Sequence, residues 1–233
     1  MLRREREGNR KLTWVVVGLL LITIALAISL LVFLTRNEVT PQTAHDTALI
    51  SAQQNLEANP KEASAYERLA RAQLAGDEAD KALQTLRDGL AATEDNLLYV
   101  AMGDVYRARK EWPQAISSYD MAEKARKEVL GIAEVKDPQQ DGTEATRDEI
   151  LAQIYYGRGL AQIADGSEGK GRLDLETAAA YQPTSAMIWS ALGDTYFAEG
   201  EIDRATEAYN KALTYVPTYQ PAQAGLTRIE GGE

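Results

Sequence analysis

No cysteine occurs among the 233 residues, and there is one histidine, His45. These absences remove disulfides, thiolate nucleophiles, zinc sites of the usual Cys/His kind and most catalytic triads. They do not identify a redox compartment, although a chain without thiols is compatible with an oxidising one. Charge is also unevenly placed along the chain. Residues 1–34 hold Arg3, Arg4, Arg6, Arg10 and Lys11 against Glu5 and Glu7, a net of +3 in a chain of net charge -10. Residues 35–233 therefore carry -13. An acidic domain of that size repels phosphate backbones, which excludes nucleic acid as the expected partner, and it stands off an anionic lipid surface. The carboxylates, tyrosines, serines and lysines that remain form no recognisable catalytic constellation. No catalytic residue, metal centre or cofactor is expected, and His45 reads as a surface or packing residue.

One long apolar run is present. Leu12 to Leu34 contains no charge, and sixteen of its 23 residues are Leu, Ile, Val or Phe. As a helix it would be roughly 34 Å long, slightly more than a bilayer core of about 30 Å. Trp14 falls near one end, where an aromatic ring suits the headgroup zone. A cleaved secretory signal has a shorter apolar core, of about 7–15 residues, and a small-x-small cleavage site. This run instead ends in Leu31-Val32-Phe33-Leu34-Thr35-Arg36. The expectation is an uncleaved, single-pass transmembrane helix over 12–34 behind a basic tail, 1–11. Five basic residues precede the run and Arg36 closely follows it, so the positive-inside rule puts the N-terminus in the cytoplasm. The bulk of the chain then lies on the periplasmic or extracellular side.

Beyond Arg36 the sequence repeats itself. Trp189, Leu192, Gly193, Tyr196, Ala205, Tyr209, Ala212 and Pro217 mark one unit. A shift of 34 residues brings Tyr155, Gly159, Ala178 and Pro183 onto Trp189, Gly193, Ala212 and Pro217. Tyr99, Met102, Gly103, Tyr106, Ala115, Tyr119 and Ala122 form another copy, and Tyr66, Leu69, Ala70, Ala82 and Leu86 a weaker one. Gly103 lies 33 residues after Ala70 and Gly159 lies 56 after Gly103, so about 22 residues are inserted between the middle copies.

The pattern resembles the tetratricopeptide repeat (TPR), a pair of antiparallel helices about 34 residues long. The resemblance covers residues 63–219, in repeats near 63–95, 96–129, 152–185 and 186–219, with an insertion at about 130–151. An all-α fold follows: one transmembrane helix, a linker helix within 35–62, a TPR-like α-solenoid of about four repeats, and a short capping helix at 220–229 with a loose tail to residue 233. The physics agrees with the pattern. Small residues at 70, 103, 159 and 193 let a neighbouring helix come close, and Ala82, Ala115 and Ala205 do the same in the second helices. Tyr66, Tyr99, Tyr155 and Trp189 fill the spaces between pairs. Pro60, Pro183 and Pro217 end one helix and open the next unit. Gly171 stands where Ala is expected, with Gly169 nearby, so the second helix of the third repeat is expected to start late or fray.

In TPR proteins the first helices line a concave groove where partners bind. Carried onto this chain, the resemblance implies a groove lined by Ser64, Glu67, Arg71 and Leu74, then Leu97, Val100, Asp104 and Arg107. Gln153, Tyr156, Leu160 and Ile163 follow, then Met187, Ser190, Asp194 and Phe197. The last two sets are apolar and suit an apolar or amphipathic peptide. Alternatively the chain's own C-terminal helix, or packing between repeats, covers them. No cluster of Lys, Arg and Asn is present to grip the C-terminal carboxylates of a chaperone tail.

The insertion contains Asp137-Pro138-Gln139-Gln140-Asp141-Gly142, running on to Asp148, an echo of an EF-hand loop. It departs at Pro138, at Glu144 and in ending on Asp rather than Glu, so a helix connection or a partner-contacting loop is the expectation. The function expected is a membrane-anchored protein-interaction module, a scaffold, assembly or chaperone-like factor for a membrane or envelope complex of the secretion or cytochrome c maturation kind. The partner is a protein or peptide. A receptor with its repeats in the cytosol and a purely structural, homo-oligomerising subunit are the alternatives.

Overall fold

The computed structural model describes residues 44–95, 97–131 and 148–231, together with Thr23. Among these residues there are ten helices and no strand. Also among them, no helix is long and apolar enough to cross a membrane. The expected basic tail and, Thr23 apart, the expected span at 12–34 lie outside the described residues, as do residues 35–43, most of the insertion and the last two residues. The chain divides into two units, Met1–Thr47 and Ala48–Glu233.

The second unit is a stack of helix pairs. Helix α1 (Ala44–Ala58) leads into α2 (Ala63–Ala75) and α3 (Ala79–Thr93), then α4 (Leu98–Ala108) and α5 (Trp112–Leu130). After the insertion come α6 (Glu149–Ala164) and α7 (Glu168–Tyr181), α8 (Ala186–Ala198) and α9 (Ile202–Tyr215), and the closing α10 (Gln220–Gly231). The four pairs are α2 with α3, α4 with α5, α6 with α7 and α8 with α9. The third begins earlier than the pattern indicates, because the Asp148 side chain accepts from the Leu151 N–H at 2.8 Å and caps α6.

All four pairs turn in the same way. Glu78, Glu111, Ser167 and Glu201 each donate a backbone N–H to the carbonyl five residues back, at Gln73, Tyr106, Gln162 and Tyr196, over 2.8–2.9 Å. The residue before each donor has positive φ: Asp77 (61°), Lys110 (61°), Gly166 (85°) and Gly200 (78°). This is the Schellman closure, which ends a helix on a left-handed residue. Glycine takes that conformation freely, whereas Asp77 and Lys110 take it against steric resistance. The links between pairs also recur. Tyr66 donates to the Pro60 carbonyl at 3.0 Å, Trp189 to Pro183 at 2.7 Å and Gln223 to Pro217 at 3.0 Å. An aromatic thus fastens the start of the first and fourth pairs to the proline before it, and Gln223 does the same for the closing helix.

Alanine and glycine set how closely the pairs approach. Ala65, Ala82, Ala115, Ala122, Ala152, Ala161, Ala178, Ala205 and Ala212 have no exposed surface. Two buried tyrosines occupy slots where side chains are missing. A Cβ on Gly103 would lie 2.7 Å from the Tyr119 ring, and one on Gly157 2.5 Å from it. Tyr209 sits in the same way between Gly193 and Gly225. Each ring therefore fills the space between the first helix of its own pair and the first helix of the next. Where the second helix carries Leu86 or Leu175 at the same register, the next first helix carries Ala101 or Ala191 in place of glycine.

The third pair departs from the sequence expectation. Helix α7 runs without a break from Glu168, and Gly171 is buried inside it. A Cβ there would meet the Gly159 carbonyl at 2.6 Å and Ile163 at 2.5 Å. Gly171 and Gly159 face each other at a backbone-to-backbone crossing, and the close packing of α6 on α7 offsets the helix-propensity loss of about 1 kcal/mol.

The insertion leaves the stack in register. The Tyr119–Gly157 slot spans it, and so does an ion cluster. Arg158 on α6 reaches back to Asp120 (2.7 Å) and Glu123 on α5, and forks onto Asp174 of α7 at 2.7 and 3.0 Å. Tyr155 donates to Glu123 at 2.7 Å, and Arg126 binds Asp148 through two nitrogens at 3.0 and 2.6 Å. Burial pushes the Glu123 carboxyl up, but donors from Lys127, Tyr155 and Arg158 outweigh it and hold the group below its ordinary value of 4.5. The contribution of Glu123 is therefore complete above that value and is lost as pH falls through the lower folded value.

Thermal unfolding monitored by circular dichroism tests these packing features. Gly225→Ala destabilises the unit by about 1–3 kcal/mol, because the new methyl meets a ring with nowhere to go. Gly169→Ala, in open space on α7, is neutral or stabilising by up to about 1 kcal/mol. Lys110→Gly stabilises by about 1 kcal/mol and Gly200→Ala destabilises by a similar amount. Arg158→Met costs about 3–5 kcal/mol at neutral pH by leaving buried carboxylates unpaired, and the cost shrinks as acid neutralises them. An Arg158→Met penalty that stays constant down to about pH 3 would show that charge is not its origin.

Candidate functional site

The first helices α2, α4, α6 and α8 share one face of the stack, and two depressions run along it. The N-terminal one, about 240 Å³, is lined by Glu67, Arg71, Leu74, Leu97, Val100, Asp104 and Gln153, with Ile150 at its far side. The C-terminal one, about 410 Å³, is lined by Tyr156, Leu160, Ile163, Met187, Ser190 and Asp194, with Tyr219 and Pro221 from the start of the closing helix. Ten of the twelve groove residues expected over 97–197 fall in these two depressions.

The other two do not, for separate reasons. Arg107 is drawn toward Asp104, 3.4 Å away. Phe197 lies under α10, with the Arg228 guanidinium 5.2 Å from its ring centre. Ser64 is exposed and lines neither depression. Val100 and Ser190 line the walls but are 6% and 3% exposed, so they shape the surface more than they present a side chain. The closing helix thus covers one expected contact, Phe197, and supplies one wall of the groove. Beside it Met187 is exposed, and Tyr156, Leu160 and Ile163 are half-buried.

Two carboxylates in the groove are held from behind. The Tyr119 hydroxyl donates to Asp104 at 2.7 Å, and the Tyr209 hydroxyl donates to Asp194 at 2.8 Å. Arg228 adds a contact to Asp194 at 2.5 Å and one to the Tyr209 oxygen at 3.0 Å. Burial pushes both tyrosine hydroxyls up, and the facing carboxylates push them further, so both stay protonated donors. In each case the hydrogen bonds among the described residues end on Oδ1 of the aspartate. At the same register the third pair has Leu160 on α6 and Leu175 on α7, so the hydroxyl and its acceptor are both replaced by leucine.

The sequence reading placed Asp104 and Asp194 in the groove but missed their tie to Tyr119 and Tyr209. A signal existed: both tyrosines coincide with aspartate 15 residues earlier, and both leucines with its absence. The Arg158 cluster had no such signal, since its partners Asp120 and Glu123 lie 38 and 35 residues away across the insertion. Asp148, the last residue of the EF-hand echo, is 5% exposed and has both oxygens engaged, one by Leu151 and one by Arg126. The other eleven positions of that echo lie outside the described residues.

Known proteins share this architecture. Residues 186–219 match the tetratricopeptide repeat family model. A tetratricopeptide repeat domain-containing protein of Arabidopsis thaliana, PYG7, chloroplastic, is 30% identical over 76 residues, 33% of this chain and 25% of that protein. The match therefore takes in about a quarter of that relative's length. A thermophilic TPR protein of Thermus thermophilus superposes with a TM-score of 0.63 at 24% identity, covering 79% of this chain and 90% of its own. BtubC from P. vanneervenii gives 0.61 at 16% identity, covering 82% and 91%. At these identities the solved structures bear on the fold. The described residues from 48 onward form an all-α solenoid of TPR type, and residues 186–219 are its clearest repeat.

Proposed function

We propose that this chain is a non-catalytic, membrane-tethered interaction module that holds a protein segment in the groove along α2, α4, α6 and α8. The observation that carries the reading is the assembly of that groove from four separate repeats, with half-buried Tyr156, Leu160 and Ile163 and exposed Met187 lining it beside two anchored carboxylates. Accessible apolar side chains along a groove suit a peptide or an amphipathic helix. The tether is the charge-free stretch 12–34, and the basic tail before it supports an N-terminus in the cytoplasm with the repeats on the other side. A tether confines the search for a partner to a surface and raises its effective concentration. That suits a scaffold, assembly or chaperone-like factor for a membrane or envelope complex, of the kind that serves secretion or cytochrome c maturation.

Photocrosslinking in native membranes tests the groove. A photoreactive residue at Tyr156 or Met187 captures the same partner, whereas one at Ile202, exposed on the second-helix side, does not. Absence of an adduct from both groove sites, or equal capture from Ile202, would sink the groove reading. The tether is tested separately. The full chain stays in the membrane pellet after alkaline carbonate, and deletion of residues 1–36 moves it to the supernatant. Protease applied from the non-cytoplasmic side cuts the repeats of the intact protein.

A further inference from the structure

We infer that the C-terminal half of the groove takes a cationic amphipathic segment of a partner protein, with an apolar side chain on Leu160, Ile163 and Met187 and a Lys or Arg reaching Asp194 and Glu168. The inference rests on the groove reading above and adds the chemistry of the occupant. Three observations carry it. The depression is lined by three carboxylates, Glu168, Asp194 and Glu199, and by no Lys or Arg among the described residues. Its floor between them is apolar, and Met187 is 46% exposed within it. The unit around it is acidic throughout: residues 48–233 hold 19 Lys and Arg against 31 Asp and Glu.

The carboxylates are not equally committed. Glu199 is engaged by Arg172 at 3.2 Å. Asp194 is held through Oδ1 by Tyr209 and Arg228, and its side chain is still 53% exposed. Glu168, in the first turn of α7, has no ion-pair partner among the described residues. An acidic or phosphorylated segment would meet these groups as like charges at short range, which a groove of this depth penalises. A segment without apolar side chains would leave Leu160, Ile163 and Met187 in water. Basic and apolar together is the combination that satisfies both parts of the lining.

Fluorescence anisotropy with the full chain in detergent micelles and three short synthetic peptides of equal length is the test. One peptide is an amphipathic Leu/Lys helix, one the same pattern with Glu for Lys, and one the Lys pattern with Ser for Leu. The Leu/Lys peptide binds at least about tenfold more tightly than either of the others. Glu168→Gln weakens it by several-fold, Asp194→Asn does likewise, and Asp203→Asn on α9 leaves it unchanged. Glu168 makes no ion pair among the described residues, so its substitution keeps the test valid if Asp194→Asn disturbs Tyr209. Equal or tighter binding of the Leu/Glu peptide overturns the inference while leaving the groove reading intact. So does equal binding of the Lys/Ser peptide, which would mean attraction by net charge alone. Loss of Leu/Lys binding in a chain that light scattering shows to be a dimer closed through Met187 would assign the groove to a second copy instead. Failure of all three peptides together with no crosslink from Tyr156 would remove the groove reading as well.

Discussion

The stack depends on how near one first helix can come to the next. That distance is set by missing side chains at a few positions and by what fills the gap. In two of the four pairs the filler is a tyrosine ring, Tyr119 or Tyr209, seated between two glycines. In the others it is a leucine, with alanine in place of glycine on the next first helix. Both solutions fully bury an apolar body between helices, as close packing requires. The tyrosine solution adds a hydroxyl that must find an acceptor once buried. The acceptor is the aspartate on the groove side, so a demand made by the core places a carboxylate on the surface that faces a partner. The polar and apolar segments of the groove follow from which filler each repeat uses.

The same logic explains how an insertion can be carried without breaking the stack. Helices α5 and α6 are joined by the Tyr119 slot, by Arg158 with its three carboxylates and by Arg126 on Asp148. Buried ion clusters contribute less to stability than their geometry suggests, because each charge gives up its water. Their effect here is register: a guanidinium bonded to Asp120, Glu123 and both oxygens of Asp174 accepts one arrangement of its neighbours.

Much of the architecture was legible in the sequence because TPR packing is written in local, periodic positions. Small residues at 103, 159 and 193, and prolines at 60, 183 and 217, fall where helices cross and where one pair gives way to the next. What was not legible required knowledge of neighbours far away in the chain. Gly171 looked like a helix breaker because its propensity is a local property, while its partner Gly159 lies on another helix. Phe197 looked exposed because its register faces the groove, and only the path of α10 puts Arg228 over it. The residues at 12–34, read as a span, and those at 137–147, read as a loop, lie outside the described residues, Thr23 apart.

The four pair-closing turns are alike in geometry but not in cost. In the two C-terminal pairs the left-handed residue is glycine, and in the two N-terminal pairs it is Asp77 and Lys110. The core divides in the same sense, with a small cluster from Tyr66 to Val105 and a much larger one from Val100 to Ala222. A linear array has no distant contacts to average such differences, so each pair keeps its own share of stability. The solenoid therefore has a weak end and a strong end. Amide protection should rise along the chain, and unzipping should begin at α2 and α3, at the end opposite the groove half that Leu160 and Met187 line.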